Sequence, residues 1–232
     1  MAYQLTTAKI WDGAAWQDAL GGGFVAAVTS DTETGTYTDG NGVVWNYHTF
    51  TGNGTFTVTE AGWADILVVG GGASGNVATN ARGAGGAGGV RYGMFYLPAA
   101  AHSVTVGAGG SGSDATTGVA GSSTSFGTIL TIGGGGAGYG KSSGSTLNFD
   151  GWGGGGSNGG QVDGSAITKN GGGAGGTPNN YDGLTLNYTG SAIVYGQGGT
   201  ATDPLANAGW GGNANTDGGA GSDGVVIVKV LA

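Results

Sequence analysis

The chain has 232 residues, 59 of them glycine, and a net charge of −8 with only six lysines and arginines. Glycine at about a quarter of all positions, against roughly 7% in ordinary proteins, excludes a helical bundle, because each helical glycine costs about 1 kcal/mol relative to alanine. Three prolines without a strict three-residue period exclude collagen, and the low net charge with 9% aromatics argues against a disordered chain.

No cysteine is present, so disulfides, thiolate metal sites and cysteine nucleophiles are ruled out. The basic residues Lys9, Arg82, Arg91, Lys141, Lys169 and Lys229 stand singly. They form no stripe that could neutralise phosphates, and nucleic acid is not an expected partner. The opening residues contain no apolar signal core and no apolar run approaches a membrane span, so neither export nor membrane insertion is expected.

In chain order, residues 1–20 read as an arm. Trp11 and Trp16 flank the turn-forming pair Asp12-Gly13, which predicts a small hairpin. Two tryptophans exceed what a lone hairpin can bury, so this arm is expected to be an attachment element. Residues 21–34 read as a linker. From Gly35 four runs rich in Val, Thr and aromatics, each bounded by Gly, Asn or Asp, predict strands up to Val69. The last run, Ile66 to Val69, is apolar without alternation and reads as a central buried strand.

The composition breaks at Gly70: residues 1–69 hold 10 of the 59 glycines and residues 70–232 hold 49. Beyond the break, glycine runs alternate with polar loops. Strand-like sequence recurs within 90–132 and closes the chain at 224–232, where Val225 to Val230 is as apolar as Ile66 to Val69. The two runs are expected to meet in one core. The expected organisation is therefore an all-β domain over 35–232 with essentially no α-helix. Its β-sheet or sandwich core takes 35–69, 90–132 and 224–232, and a bundle of polyglycine II helices takes 133–221.

The bundle follows from cost. Each ordered glycine loses about 0.5–1 kcal/mol more entropy than alanine, so some thirty of them in runs oppose folding by roughly 15–30 kcal/mol. Packed extended helices of three residues per turn recover it. Such chains make no internal hydrogen bonds, and their outward N–H and C=O groups must be satisfied by neighbours that only glycine lets approach.

The stretches HTFTGNGTFTVTEAGWADILVVGGG, GAGGAGGV, SVTVGAGG, SSTSFGTILTIGGGG and GAGSDGVVIVKV resemble the glycine-rich domain of many bacteriophage tail fibre and minor tail proteins, over roughly residues 35–232. The later glycine runs also look like the polyglycine II sandwiches of some phage fibre-tip adhesins, and KIWDGAAWQ is similar to short Trp-containing segments near the starts of phage tail proteins. The resemblance implies a sheet layer carrying a glycine-helix bundle whose connecting loops bind a host surface glycan or outer-membrane protein. It further implies a place in the virion, in a tail fibre or tail tip, with other tail proteins as partners through residues 1–20. The alternative is a structural virion protein, a head decoration or tail spacer, without receptor binding. Both a homotrimer about the fibre axis and a monomeric cap are compatible with it.

If successive glycine runs from Gly133 onward pack antiparallel, loops 141–150, 177–195 and 213–217 share one end, and loops 161–170 and 200–208 the other. The first end gathers the aromatics: Tyr139, Phe149, Trp152, Tyr181, Tyr188, Tyr195 and Trp210. Rings with polar handles suit binding surfaces, so these residues are the expected receptor contacts.

No catalytic or metal site and no cofactor is expected. Gly135 to Ser142 satisfies the P-loop pattern, but the sequence after Ser142 cannot form the helix whose N-terminus faces phosphate. Gly107 to Gly112 fits GxGxxG and Gly140 to Gly144 fits GxSxG, both patterns that abundant glycine generates by accident. His48 and His102 have no partner at ligand spacing, and the chain is not expected to be an enzyme.

Overall fold

The computed structural model describes residues 9–11, 16–18, 26–29, 33–76, 82–112, 117–137, 168–169, 182–199, 204–213 and 219–232. The fold is all-β, and there is no helix among the described residues. Strands are numbered along the chain. Two five-stranded antiparallel sheets form a sandwich. Sheet I orders β4 (Glu33–Thr38), β5 (Val44–Phe50), β16 (Val225–Leu231), β7 (Gly62–Val69) and β9 (Val90–Leu97). Sheet II orders β12 (Leu130–Ile132), β11 (Thr124–Phe126), β10 (Ala101–Thr105), β6 (Gly54–Val58) and β3 (Ala26–Thr29).

Between the sheets lies a core of Phe50, Ile66, Val68, Leu97, Val226, Val228 and Val230 from sheet I and Phe56, Val58, Val104 and Phe126 from sheet II. Phe56 meets Phe50 at 6.5 Å and Phe126 at 5.9 Å, both in inclined geometries. Burying each large apolar side chain contributes about 1.5–3 kcal/mol. The two apolar runs meet as the sequence predicts: β16 lies antiparallel to β7 with Val225 opposite Val69 and Val228 opposite Ile66.

The other face of sheet I is covered too. Hairpin β14 (Leu184–Asn187) and β15 (Ala192–Tyr195) places Tyr188 and Tyr195, with Ala208, over Tyr47, Leu67, Val69, Val225 and Ile227. Central strands buried on both faces cannot afford alternation, which is why Ile66 to Val69 and Val225 to Val228 are apolar throughout.

The remaining pairs are short. Strands β1 (Lys9–Trp11) and β2 (Trp16–Asp18) form the expected arm hairpin, Trp11 opposite Trp16. Strands β8 (Arg82–Gly83) and β13 (Thr168–Lys169) pair in parallel. Part of the stretch read as a linker is structural: β3 is the edge of sheet II, pairing Ala26 with Val58. Its short Ala-Ala-Val-Thr run offers little periodicity to separate it from coil.

Above the sandwich the glycine segments form a lattice held by backbone bonds. Residues 70–76, which continue β7, lie at its centre. Their donors rotate through three neighbours: Gly70 and Ala73 donate to Gly89 and Gly86, Gly71 and Ser74 to Ser122 and Val119, and Gly72 and Gly75 to Ser222 and Gly219. That period of three is the period of a polyproline II-type chain. Three further neighbours donate to the centre, through Gly110 to Gly72, Gly135 to Gly71 and Gly212 to Ala73.

The six surrounding segments also bond to one another. Gly89 and Gly86 donate to Gly133 and Gly136, Gly121 to Gly135, Ser122 to Ala108, Gly221 to Gly110, Ser222 to Trp210, and Gly85 and Gly88 to Gly212 and Gly209. The ring closes around the central segment as a hexagon. Bonding thus starts at Gly70 and recruits 107–112 and 119–123, well before residue 133, where the sequence reading begins the bundle. Six of the segments alternate in direction according to whether they leave a strand or lead into one, whereas 196–199 and 209–213 run the same way. Residues 70–76 leave β7, 107–112 leave β10 and 133–137 leave β12, while 84–89 enter β9, 117–123 enter β11 and 219–224 enter β16.

Close approach explains the composition. A Cβ on Gly72 would collide with the Trp210 carbonyl oxygen, which already accepts the Ser222 N–H. Where strands give way to lattice, side-chain oxygens replace backbone acceptors. The Gly107 N–H donates to Thr124 Oγ1 at 2.9 Å, and the Gly109 N–H to Asp223 Oδ1 at 2.7 Å.

Candidate functional site

The lattice has two ends of different character. Its near end is the sandwich. At its far end Gly75 donates to Gly219, Gly219 to Asn213 and Gly199 to Gly85. The β8–β13 pair stands at this end as well, since Gly83 leads directly into the segment 84–89.

The flank of the sandwich under the β14–β15 hairpin holds a densely bonded polar site. Lys229, on the outward face of β16, is 7% exposed. Its Nζ lies 2.9 Å from Asp65 Oδ2, donates to Tyr37 Oη at 3.3 Å, and sits over the Tyr188 ring at 4.3 Å and the Trp45 ring at 4.7 Å. The Tyr188 hydroxyl donates to Asp65 Oδ1 at 2.6 Å. Burial, reinforced by that bond and the Asp65 charge, pushes the Tyr188 hydroxyl well above its ordinary pKa. Trp210 Nε1 donates to the Val194 carbonyl at 2.7 Å and Tyr37 Oη to the Asn187 carbonyl at 3.3 Å, tying both strands of the hairpin down.

This geometry redistributes the expected receptor contacts. Tyr188 and Tyr195 are buried, at 4% and 2% exposure, and belong to the packing of the hairpin on sheet I. Trp210 packs against the same cluster. The three are therefore fixed by the core and not displayed at the far end. Hairpin 184–195 lies beside the sandwich and residue 213 at the far end, so the described parts of these two stretches stand apart; residues 177–181 and 214–217 lie outside the described residues. Residues 168–169 stand with the far end, opposite to their expected placement. Tyr139, Phe149, Trp152 and Tyr181, and the side chains of Trp11 and Trp16, lie outside the described residues.

The motif residues have structural partners. Gly135 of the P-loop pattern donates to Gly71 within the lattice. His102 stacks on Phe126 at 5.4 Å with Nε2 3.0 Å from the Pro98 carbonyl, and His48 meets the Phe56 ring edge-on at 5.5 Å. Among the described residues no cluster of His, Asp and Glu has the geometry of a metal site.

The glycine-rich domain model matches residues 48–231, about four-fifths of the chain. The chain belongs to this glycine-rich domain family. No curated protein matches it significantly. In this glycine-rich domain the matched region runs from within β5 through the lattice to β16, so the hexagon and most of both sheets lie within it, while the arm, β3 and β4 precede it.

One feature of the domain is not signalled by any motif. A cleft of about 210 Å³ opens between the hairpin, the segment 205–207 and the upper part of sheet I, with Thr49, Thr51, Thr189, Asn207, Leu205 and Ile193 among its lining residues. Only the Thr189-Gly190 turn hints at it in sequence.

Proposed function

We propose that this chain is a non-catalytic attachment protein of a bacteriophage tail fibre or tail tip, in which the sandwich and lattice hold the far-end turns rigidly against a host surface glycan or outer-membrane protein. The observation that carries this reading is the closed hexagon. Its interior is bonded backbone to backbone, so the far-end turns are free to vary without disturbing what holds them. A support indifferent to loop sequence suits a protein whose receptor changes. In this reading residues 1–20 join the chain to other tail proteins. The likeness of the glycine runs to tail fibre sequences is the second support.

The test is adsorption. Fluorescently labelled protein is applied to a panel of bacterial strains, alongside a variant with residues 77–81 and 214–218 replaced by glycine and serine at unchanged length. Decoration of at least one strain, lost in the variant at an unchanged melting temperature, is the expected result. Decoration of no strain, with the protein recovered in capsid fractions, overturns it in favour of a structural virion role.

A further inference from the structure

We propose that the cleft beneath the β14–β15 hairpin is a subsite for one neutral saccharide unit. The inference rests on the attachment reading but places a second contact on the flank of the sandwich, apart from the far-end turns. The cleft has an apolar floor, Val225 and Ile227 on the outward face of β16, and apolar walls from Ile193 and Leu205. Threonines 49, 51 and 189 and the Asn207 amide add polar groups around it. Hydroxyls both donate and accept, which matches the mixed hydroxyl and C–H surface of a sugar ring.

No lining residue carries a charge, so phosphate, carboxylate and nucleotide ligands have no counterion there. The volume, about 210 Å³, is below the range of roughly 300 Å³ and upward that drug-sized ligands occupy. It suits a single ring.

The rim carries one strained backbone position: Asn207, at φ 52°, is the one non-glycine in the left-handed region among the described residues. Such conformations persist where the surroundings over-determine them, and they cluster at ligand clamps. The hairpin is pinned on its far side by Tyr188 to Asp65 and Trp210 to Val194, so the cleft is held open in the free protein.

The experiment is an NMR titration of the full chain with neutral sugars, glucose, galactose, N-acetylglucosamine and rhamnose, with glucuronate and inorganic phosphate as charged controls. At least one neutral sugar is expected to shift resonances of Thr189, Ile193 and Asn207 with a dissociation constant on the order of 1 mM. The affinity should fall at least tenfold in Leu205→Trp, which fills the mouth, and in Thr189→Ala, each at an unchanged melting temperature. If no neutral sugar shifts these residues at 50-fold excess over that value, or if binding survives Leu205→Trp, the subsite is refuted. Phosphate binding there refutes the assignment to neutral ligands. A chain that decorates cells but binds no sugar in the cleft removes this inference alone, and sugar binding without decoration removes only the attachment reading.

Discussion

Strand β7 and the segment that continues it past Gly70 are neighbours in one unbroken chain, yet opposite things hold them in place. Before the boundary, Ile66, Leu67, Val68 and Val69 are each fully buried and stabilise the fold through side-chain area. After it, Gly70, Gly71 and Gly72 have no side chain and are held by N–H to O=C bonds to three neighbours in turn. A side-chain core tolerates changes that conserve volume and punishes charge. A backbone lattice is blind to polarity at its surface and punishes an added atom wherever a neighbouring backbone abuts, as at Gly70, Gly71 and Gly72, while it accommodates Ala73 and Ser74. The contrast can be broken by substitution.

The largest effect is expected from Ile227→Asp. Ile227 is 2% exposed, between Thr49 and Leu67 across the sheet and under Tyr195 and Tyr188. A carboxylate there has no counterion in the apolar cluster. The cost should exceed about 4 kcal/mol and abolish the cooperative transition in thermal or denaturant melts. Ile227→Val should cost only about 1 kcal/mol. A cooperatively melting Asp variant would show that the flank of sheet I is not the core described here.

Next is Gly72→Ala, a single methyl at the centre of the hexagon. The Trp210 carbonyl it would strike is fixed by the Ser222 N–H, and the Trp210 N–H is fixed in turn by Ser222 Oγ at 2.7 Å. With no flexible side chain to yield, the expected loss is about 3 kcal/mol, at the upper end for overpacking. A loss below about 0.5 kcal/mol in a denaturant melt would mean that the segments slide apart easily, and the lattice would not be the rigid support proposed.

Tyr188→Phe addresses the polar site on the outward flank of sheet I. It removes the hydrogen bond to Asp65 while keeping the ring over Lys229, and should cost about 1–2 kcal/mol at neutral pH. The pH dependence has a definite sign. Burial and the Asp65 carboxylate raise the folded-state pKa of Tyr188 above the ordinary tyrosine value of about 10. Its contribution is therefore complete below pH 10 and is lost as pH rises beyond it, because the unfolded chain releases the proton and the folded chain does not. Wild type should lose stability between pH 10 and 11 more steeply than the variant. Parallel pH curves for the two proteins would contradict the placement of this hydroxyl.

Sequence reading recovers these regions unequally, for identifiable reasons. The pairing of β7 with β16 is legible because two non-alternating apolar runs have no other place to go. The demand for a glycine lattice is legible from entropy alone. The start of the lattice at Gly70 is not, since 107–112 and 119–123 are flanked by strand sequence and fall within the stretch 90–132 assigned to the β-core. Lys229 is hidden for another reason: a lysine in a closing strand suggests solvent, and only Asp65, Tyr37, Trp45 and Tyr188, brought from four separate elements, make its burial affordable. Tyr188 and Tyr195 misdirect for the same cause. Their hairpin alternates like a solvated loop, and nothing local reports the sheet it covers.

The smallest expected effect is at residues 214–218. The Gly219 N–H donates to the Asn213 carbonyl at 3.1 Å, Gly212 donates to Ala73, and Gly75 donates to Gly219. The residues on either side of 214–218 are therefore held by backbone bonds. A five-residue connection between clamped ends has only a closure entropy to meet, and that depends on length far more than on composition. Replacing the five residues by glycine and serine at equal length should change stability by less than about 0.5 kcal/mol in a denaturant melt, even though it rewrites more positions than any of the single substitutions above. Doubling the length should cost about 0.6 kcal/mol more. A loss of 2 kcal/mol or more from the equal-length exchange would mean that these side chains help hold the hexagon together. The far end would then be part of the lattice's own structure, and the argument that its turns are free to vary with a receptor would fail.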